Sequence, residues 1–144
     1  MGDYIWLFYA GLSAVAAALV SVFGKIGLQG LDANTATTVR SVVMALFLIG
    51  VMVAQRNFSH LGEVLSNRRA LLYIILSGTA GALSWLFYFV ALKYGQVSQV
   101  APVDKLSVVL AAVLAVVFLG ESLSPLGVAG ILLITVGVIC VAFG

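Results

Sequence analysis

The stretch that decides how this chain folds is QVSQVAPVDKLSVVLAAVLAVVFLGES, residues 96–122. From Leu106 to Leu119 it is almost pure hydrocarbon. These 14 residues make only about 21 Å of helix, short of the roughly 30 Å core of a bilayer. A crossing helix must therefore begin earlier and carry Pro102, Asp104 and Lys105 with it. With Ser98 as N-cap, the helix covers about 99–119 and Pro102 is its fourth residue, where a backbone N–H has no intrahelical partner. The charged pair then sits roughly 8 Å below the helix start.

The rest of the chain is equally apolar. Of its 144 residues, 63% are hydrophobic and 8% charged, against about 45–50% and about 25% in soluble domains. That composition excludes an ordinary soluble domain. At roughly 20 residues per crossing it leaves room for four or five spans and no separate domain. The predicted fold is all-α, a polytopic bundle of five transmembrane helices over about 4–28, 35–54, 70–92, 99–119 and 125–143, forming a single membrane domain over 1–144. QGLDAN (29–34), KYGQVSQ (93–99) and GESLSP (120–125) are tight connections, and QRNFSHLGEVLSNRR (55–69) is the one longer loop. Short links make neighbouring spans antiparallel. The first segment has no positive flank, Asp3 being the only charge before Lys25, so it reads as a span and not as a signal peptide. Tyr4, Trp6, Phe8, Tyr9 and Tyr73 lie where an interfacial aromatic belt belongs.

Several functions drop out at this level. The net charge of +2 is dispersed, with no dense basic run to follow phosphates, so nucleic acid is not an expected partner. Cys140 stands alone and His60 is the one histidine, with no clustered carboxylates; no catalytic set, metal site or cofactor is expected. The expected partners are the lipid bilayer, a small-molecule substrate and a second copy of the chain.

Five crossings put the two ends on opposite sides. The N-terminal side carries Arg56, Arg68 and Arg69; the other carries Lys25 and Lys93, with Arg40 and Lys105 further in. Orientation follows the Lys and Arg bias of short loops, and here there is almost none. Either the small count carries no signal, or both orientations are made and pair antiparallel. Ala14 and Ala18, Gly78 and Ala82, and Ala111 and Ala115 recur at helical spacing as packing seams, as do Gly127, Gly130 and Gly137 in the last span.

The ionisable groups near the membrane interior define the candidate site. Asp104 and Lys105 point about 100° apart on a continuous helix, so each is expected to find a different partner. With Asn34 as the cap of the second span, Arg40 is its sixth helical residue, again roughly 8 Å in, and Lys25 closes the first span on the same side. Intramembrane charges are usually paired or line a watered cavity. One reading is a substrate-binding or coupling site around Asp104, Lys105 and Arg40, supported by Lys25 and Pro102; the other is that the cations snorkel to the interface with no part in transport. In the third span Ser84, Trp85 and Tyr88 share one side and suit an amphipathic solute, or equally an aromatic core contact.

Residues 86–138, LFYFVALKYGQVSQVAPVDKLSVVLAAVLAVVFLGESLSPLGVAGILLITVGV, resemble the second half of an EamA-type domain of the drug/metabolite transporter superfamily. The match lies in an aliphatic helix ending Leu119, Gly120, Glu121, then a short polar turn and a final helix with Gly127, Gly130 and Gly137. GLSAVAAALVSVFGKIGL (11–28) is similar to that domain's opening helix. The resemblance implies a secondary transporter or exporter of small metabolites or drugs in a bacterial or archaeal plasma membrane. Family members usually carry two inverted domains and ten spans, so a single five-helix repeat implies a partner. An antiparallel, dual-topology homodimer, a heteromeric partner and a non-transporting scaffold or accessory subunit are the alternatives. The related four-span multidrug resistance proteins carry an essential acid in the first span, which has none here between Tyr4 and Leu28.

Overall fold

The computed structural model describes residues 4–56 and 58–144; Asp3 lies outside them, and so does Asn57 of the longer loop. Among the described residues the protein is all-helical, with five helices long and apolar enough to cross a membrane. These are α1 (Ile5–Gly27), α2 (Ala33–Ala54), α4 (Arg68–Tyr94), the segment Val97–Leu119, and α7 (Pro125–Phe143). A short helix, α3 (Phe58–Ser66), lies between α2 and α4. It occupies the stretch expected to be a loop, because Phe58, Leu61 and Leu65 recur at a helical period.

Helix ends differ from the sequence reading by a turn or less, and the caps explain why. Asp32, not Asn34, caps α2: its carboxylate accepts from the Thr35 N–H at 2.8 Å and the Thr35 hydroxyl at 3.0 Å. Arg40 is thereby the eighth helical residue, about 10.5 Å from the start. Asn67 accepts from the Ala70 N–H at 3.1 Å where α4 begins. Ser124 accepts from the Gly127 N–H at 3.1 Å, with Pro125 opening α7 at a position where no N–H is needed.

The fourth span departs most from expectation. It starts at Val97, with Gln96 as an N-cap that makes no side-chain bond; the Ser98 hydroxyl meets Gln96 Oε1 at 3.5 Å instead of capping the helix. Pro102 is its sixth residue and deprives the Ser98 carbonyl of an N–H donor. The span breaks at Lys105 into α5 (Val97–Asp104) and α6 (Leu106–Leu114). There the Lys105 N–H donates to the Pro102 carbonyl and the Val108 N–H to the Lys105 carbonyl, both at 3.0 Å across three residues instead of four. A π-helical turn (Ala115–Leu119) ends the span, closed by the Glu121 N–H on the Ala115 carbonyl at 3.3 Å. That closure needs Gly120 in the left-handed region at φ 69°, which assigns a physical role to the Leu-Gly-Glu sequence.

The chain divides into two compact units. One joins α1 up to Lys25 with Tyr94–Gly144, and in it α7 packs against both α5 and α6. The other is Ile26–Lys93, holding α2, α3 and α4. Its buried side chains gather at the start of α2 (Ala33, Thr37) and the end of α4 (Tyr88, Phe89, Leu92), together with Leu28. Among the described residues a Cβ placed on Gly78, Gly130 or Gly137 meets nothing within 4 Å, whereas one on Gly127 meets Ser124 Oγ at 3.4 Å.

Candidate functional site

In the first unit, one face of α1 is built from side chains too short to fill the space beside them. Ser13, Ala14, Ala17, Ala18 and Ser21 line a cavity of about 470 Å³ together with Ala101, Pro102 and Lys105. Ala14 and Ala18 therefore line a void, where the sequence reading made them a packing seam. Ser21 is buried and its hydroxyl donates to the Ala17 carbonyl at 3.0 Å, the usual back-bond of a serine inside an apolar helix. No acidic side chain belongs to the lining.

Lys105 reaches this cavity from the break in the fourth span. Its ammonium lies 3.3 Å from Asp104 Oδ2, so the two neighbours do pair, contrary to the expectation from a continuous helix. The 100° offset holds only where the helix is intact. At Lys105 the backbone leaves the helical track with ψ at −6°, and the four-carbon stem can fold back onto the preceding carboxylate. Asp104 is half-buried and Lys105 exposed. Lys25, in the last turn of α1, donates from Nζ to the Gly95 carbonyl at 2.8 Å, tying that helix end to the turn before α5.

Arg40 belongs to the second unit, where its guanidinium carbon lies 3.7 Å from the centroid of the Trp85 ring and 5.1 Å from that of Phe89. Trp85 meets Tyr88 edge-on, with centroids 5.6 Å apart and planes at 86°, and Phe89 at 6.0 Å. Tyr88 and Phe89 are buried, Trp85 and Arg40 half-buried, and Ser84 is exposed on α4. Two candidate residues read separately from the sequence, Arg40 and Trp85, are thus one another's partners. The sequence reading missed Phe89, although its spacing four residues after Trp85 places it on the same face. It missed Ser13 and Ser21 as well, whose eight-residue separation along a face of alanines was the available signal.

Outside the spans, hydrogen bonds from the Thr35 backbone and hydroxyl hold the Asp32 carboxyl below the ordinary aspartate value, aided by the positive charge of Lys93.

The sequence matches the EamA-like transporter family over residues 4–143. It is also 39% identical over 137 residues to a Sinorhizobium sp protein named "Uncharacterized transporter in cobO 3'region", a match covering 95% of this chain and 96% of that protein. No solved structure matches.

Proposed function

The chain belongs to the EamA-like transporter family, and from that premise we propose that it is a secondary transporter, working as an exporter, for small metabolites bearing a carboxylate or comparable anionic group. The observation that carries this reading is the cavity in the first unit, whose lining offers one cation, Lys105, two serine hydroxyls and no acid. The lining offers a cationic drug no acidic side chain, the neighbouring Asp104 carboxylate being paired with Lys105, and α1 supplies none along its length. An anionic group, by contrast, can take the ammonium donors that Asp104 does not use and the hydroxyl of Ser13.

The break at Lys105 suits this role. Non-helical backbone at membrane depth is tolerated where it lines a cavity, and transporters place substrate sites at such discontinuous helices. The short carbonyl bonds at Pro102 and Lys105 form a ready hinge beside the site. Arg40 on Trp85 and Phe89 acts as a second polar element, in the other unit, for solute positioning or coupling.

The assembly we propose is an antiparallel homodimer in a bacterial or archaeal plasma membrane. The relative named as a transporter is matched over 96% of its length by this five-helix chain, and Gly78 of α4 with Gly130 and Gly137 of α7, where a Cβ would meet no described neighbour within 4 Å, offer close-approach seams for a second copy. The test is counterflow in proteoliposomes with pools of carboxylates, amino acids and amines. Uptake of anionic or zwitterionic solutes, lost in Lys105→Ala with insertion intact, is the expected result. Flux of amines alone overturns the substrate class; no flux at all, with stable co-purification of a different protein, makes the chain a scaffold. Reporters fused to the C-terminus should signal from both sides of the membrane, and signal from one side alone removes the antiparallel homodimer.

A further inference from the structure

The connection between α2 and α4 holds a helix that transport does not explain. On α3, Phe58, Leu61 and Leu65 fall within an arc of about 60°, with Val64 about 60° further round, while His60, Glu63 and Ser66 occupy the opposite side. Among the described residues nothing covers the apolar face: Phe58 is 54% exposed, Leu61 42% and Leu65 56%. On the polar side, His60 Nδ1 meets Glu63 Oε2 at 3.3 Å, which ties up the one acidic group of the segment.

The chain leaves α3 little freedom to go anywhere but the membrane surface. Residues 55–57 link it to the end of α2 and Asn67 alone links it to α4, and both neighbours are long and apolar enough to span. Three residues reach at most about 10 Å, so an apolar helix face is held within that distance of the point where the chain leaves the bilayer. Arg56 turns the chain at the end of α2 with a left-handed φ of 55°, a conformation an L-residue rarely adopts. Asn67 joins the two helices directly, its N–H on the Glu63 carbonyl at 3.2 Å and its own carbonyl accepting from Leu71 at 2.9 Å. Three arginines, Arg56, Arg68 and Arg69, flank the helix against the single Glu63.

We propose that α3 is an in-plane anchor, lying along the bilayer with Phe58, Leu61 and Leu65 at the acyl boundary and the flanking arginines on anionic phospholipid headgroups. An amphipathic helix with basic flanks binds such a surface through buried apolar area and headgroup charge together. The requirement is only that α2 and α4 span, so the proposal stands independently of what is transported.

The test uses the full chain with Cys140→Ala, carrying a spin label at Leu61→Cys, Leu65→Cys or Glu63→Cys. Vesicles are made of phosphatidylcholine with or without phosphatidylglycerol. Labels at 61 and 65 are expected to be open to oxygen and shielded from an aqueous nickel chelate, with the reverse at 63. Phosphatidylglycerol should increase the contrast several-fold, and Arg68→Gln with Arg69→Gln should remove that increase. In the unmodified chain, amide exchange of 58–66 should slow when phosphatidylglycerol is present. Nickel access at 61 and 65 equal to that at 63 overturns the anchor. Shielding from both reagents that depends on the protein-to-lipid ratio overturns it in favour of a protein contact. Indifference to phosphatidylglycerol overturns the headgroup assignment.

Discussion

The Arg40 guanidinium carbon lies 3.7 Å above the Trp85 ring, joining the early part of α2 to the late part of α4 within one unit. A cation inside a span needs compensation, and here the negative faces of Trp85 and Phe89 supply it without a carboxylate. Arginine suits the site because its planar, weakly hydrated head stacks, which an ammonium does not. A double-mutant cycle of Arg40→Gln and Trp85→Leu, read by unfolding in bicelles, is expected to give a coupling of roughly 0.5–2 kcal/mol. Additive losses would show that the two merely lie near one another.

Pro102→Ala restores an N–H for the Ser98 carbonyl and should draw α5 and α6 into one helix. Stability is expected to rise, by at most the roughly 3 kcal/mol that an interior proline costs. Solute counterflow should fall, because the hinge at Lys105 and the placement of its ammonium are lost together. A variant that is stabilised and transports at the full rate would separate the break from transport.

Gly120→Ala is expected to cost about 1–2 kcal/mol, since φ at 69° is left-handed and the loss is conformational. A Cβ there meets no neighbour within 4 Å. The control is Gly130→Ala, in the middle of α7 with equally open space, where alanine favours the helix by up to about 1 kcal/mol. Gly130→Leu should leave the fold of the single chain intact and reduce the dimer fraction measured by cross-linking. An unchanged dimer fraction would remove α7 from the interface.

Asp32 sets an acid limit on the start of α2. Its folded-state pKa is depressed, so its stabilising contribution is fully present above the unfolded aspartate value of about 3.9 and is lost as pH falls through the folded value. Asp32→Asn, which keeps a good N-cap, should flatten this acid dependence with little change at neutral pH. Asp32→Ala should lower stability at neutral pH as well. Thermal melts between pH 3 and 7 in nanodiscs read both, and an unaltered acid limb in Asp32→Asn would place the dependence elsewhere.

The number, order and approximate ends of the five candidate spans were legible in the sequence, and so was the inclusion of Pro102, Asp104 and Lys105 in the fourth. Burying a helix in hydrocarbon is favoured residue by residue along the chain, so a one-dimensional reading captures it. The shape of the fourth span was partly legible. Pro102 read as a tolerated first-turn residue, whereas it is the sixth residue of the helix and the break falls three residues later, where Lys105 closes a tight turn and meets Asp104. The helical period of Phe58, Leu61 and Leu65 was present in a stretch short enough to read as a loop.

Partners were decided only by tertiary structure. That Arg40 stacks on Trp85, Lys25 bonds the Gly95 carbonyl, and Ala14 and Ala18 border a cavity depends on how helices are rotated and placed against one another. Those rotations come from the sum of many weak packing contacts between residues distant in the chain. The spacing of apolar residues sets which segments enter the membrane, and packing sets which side chains meet inside it.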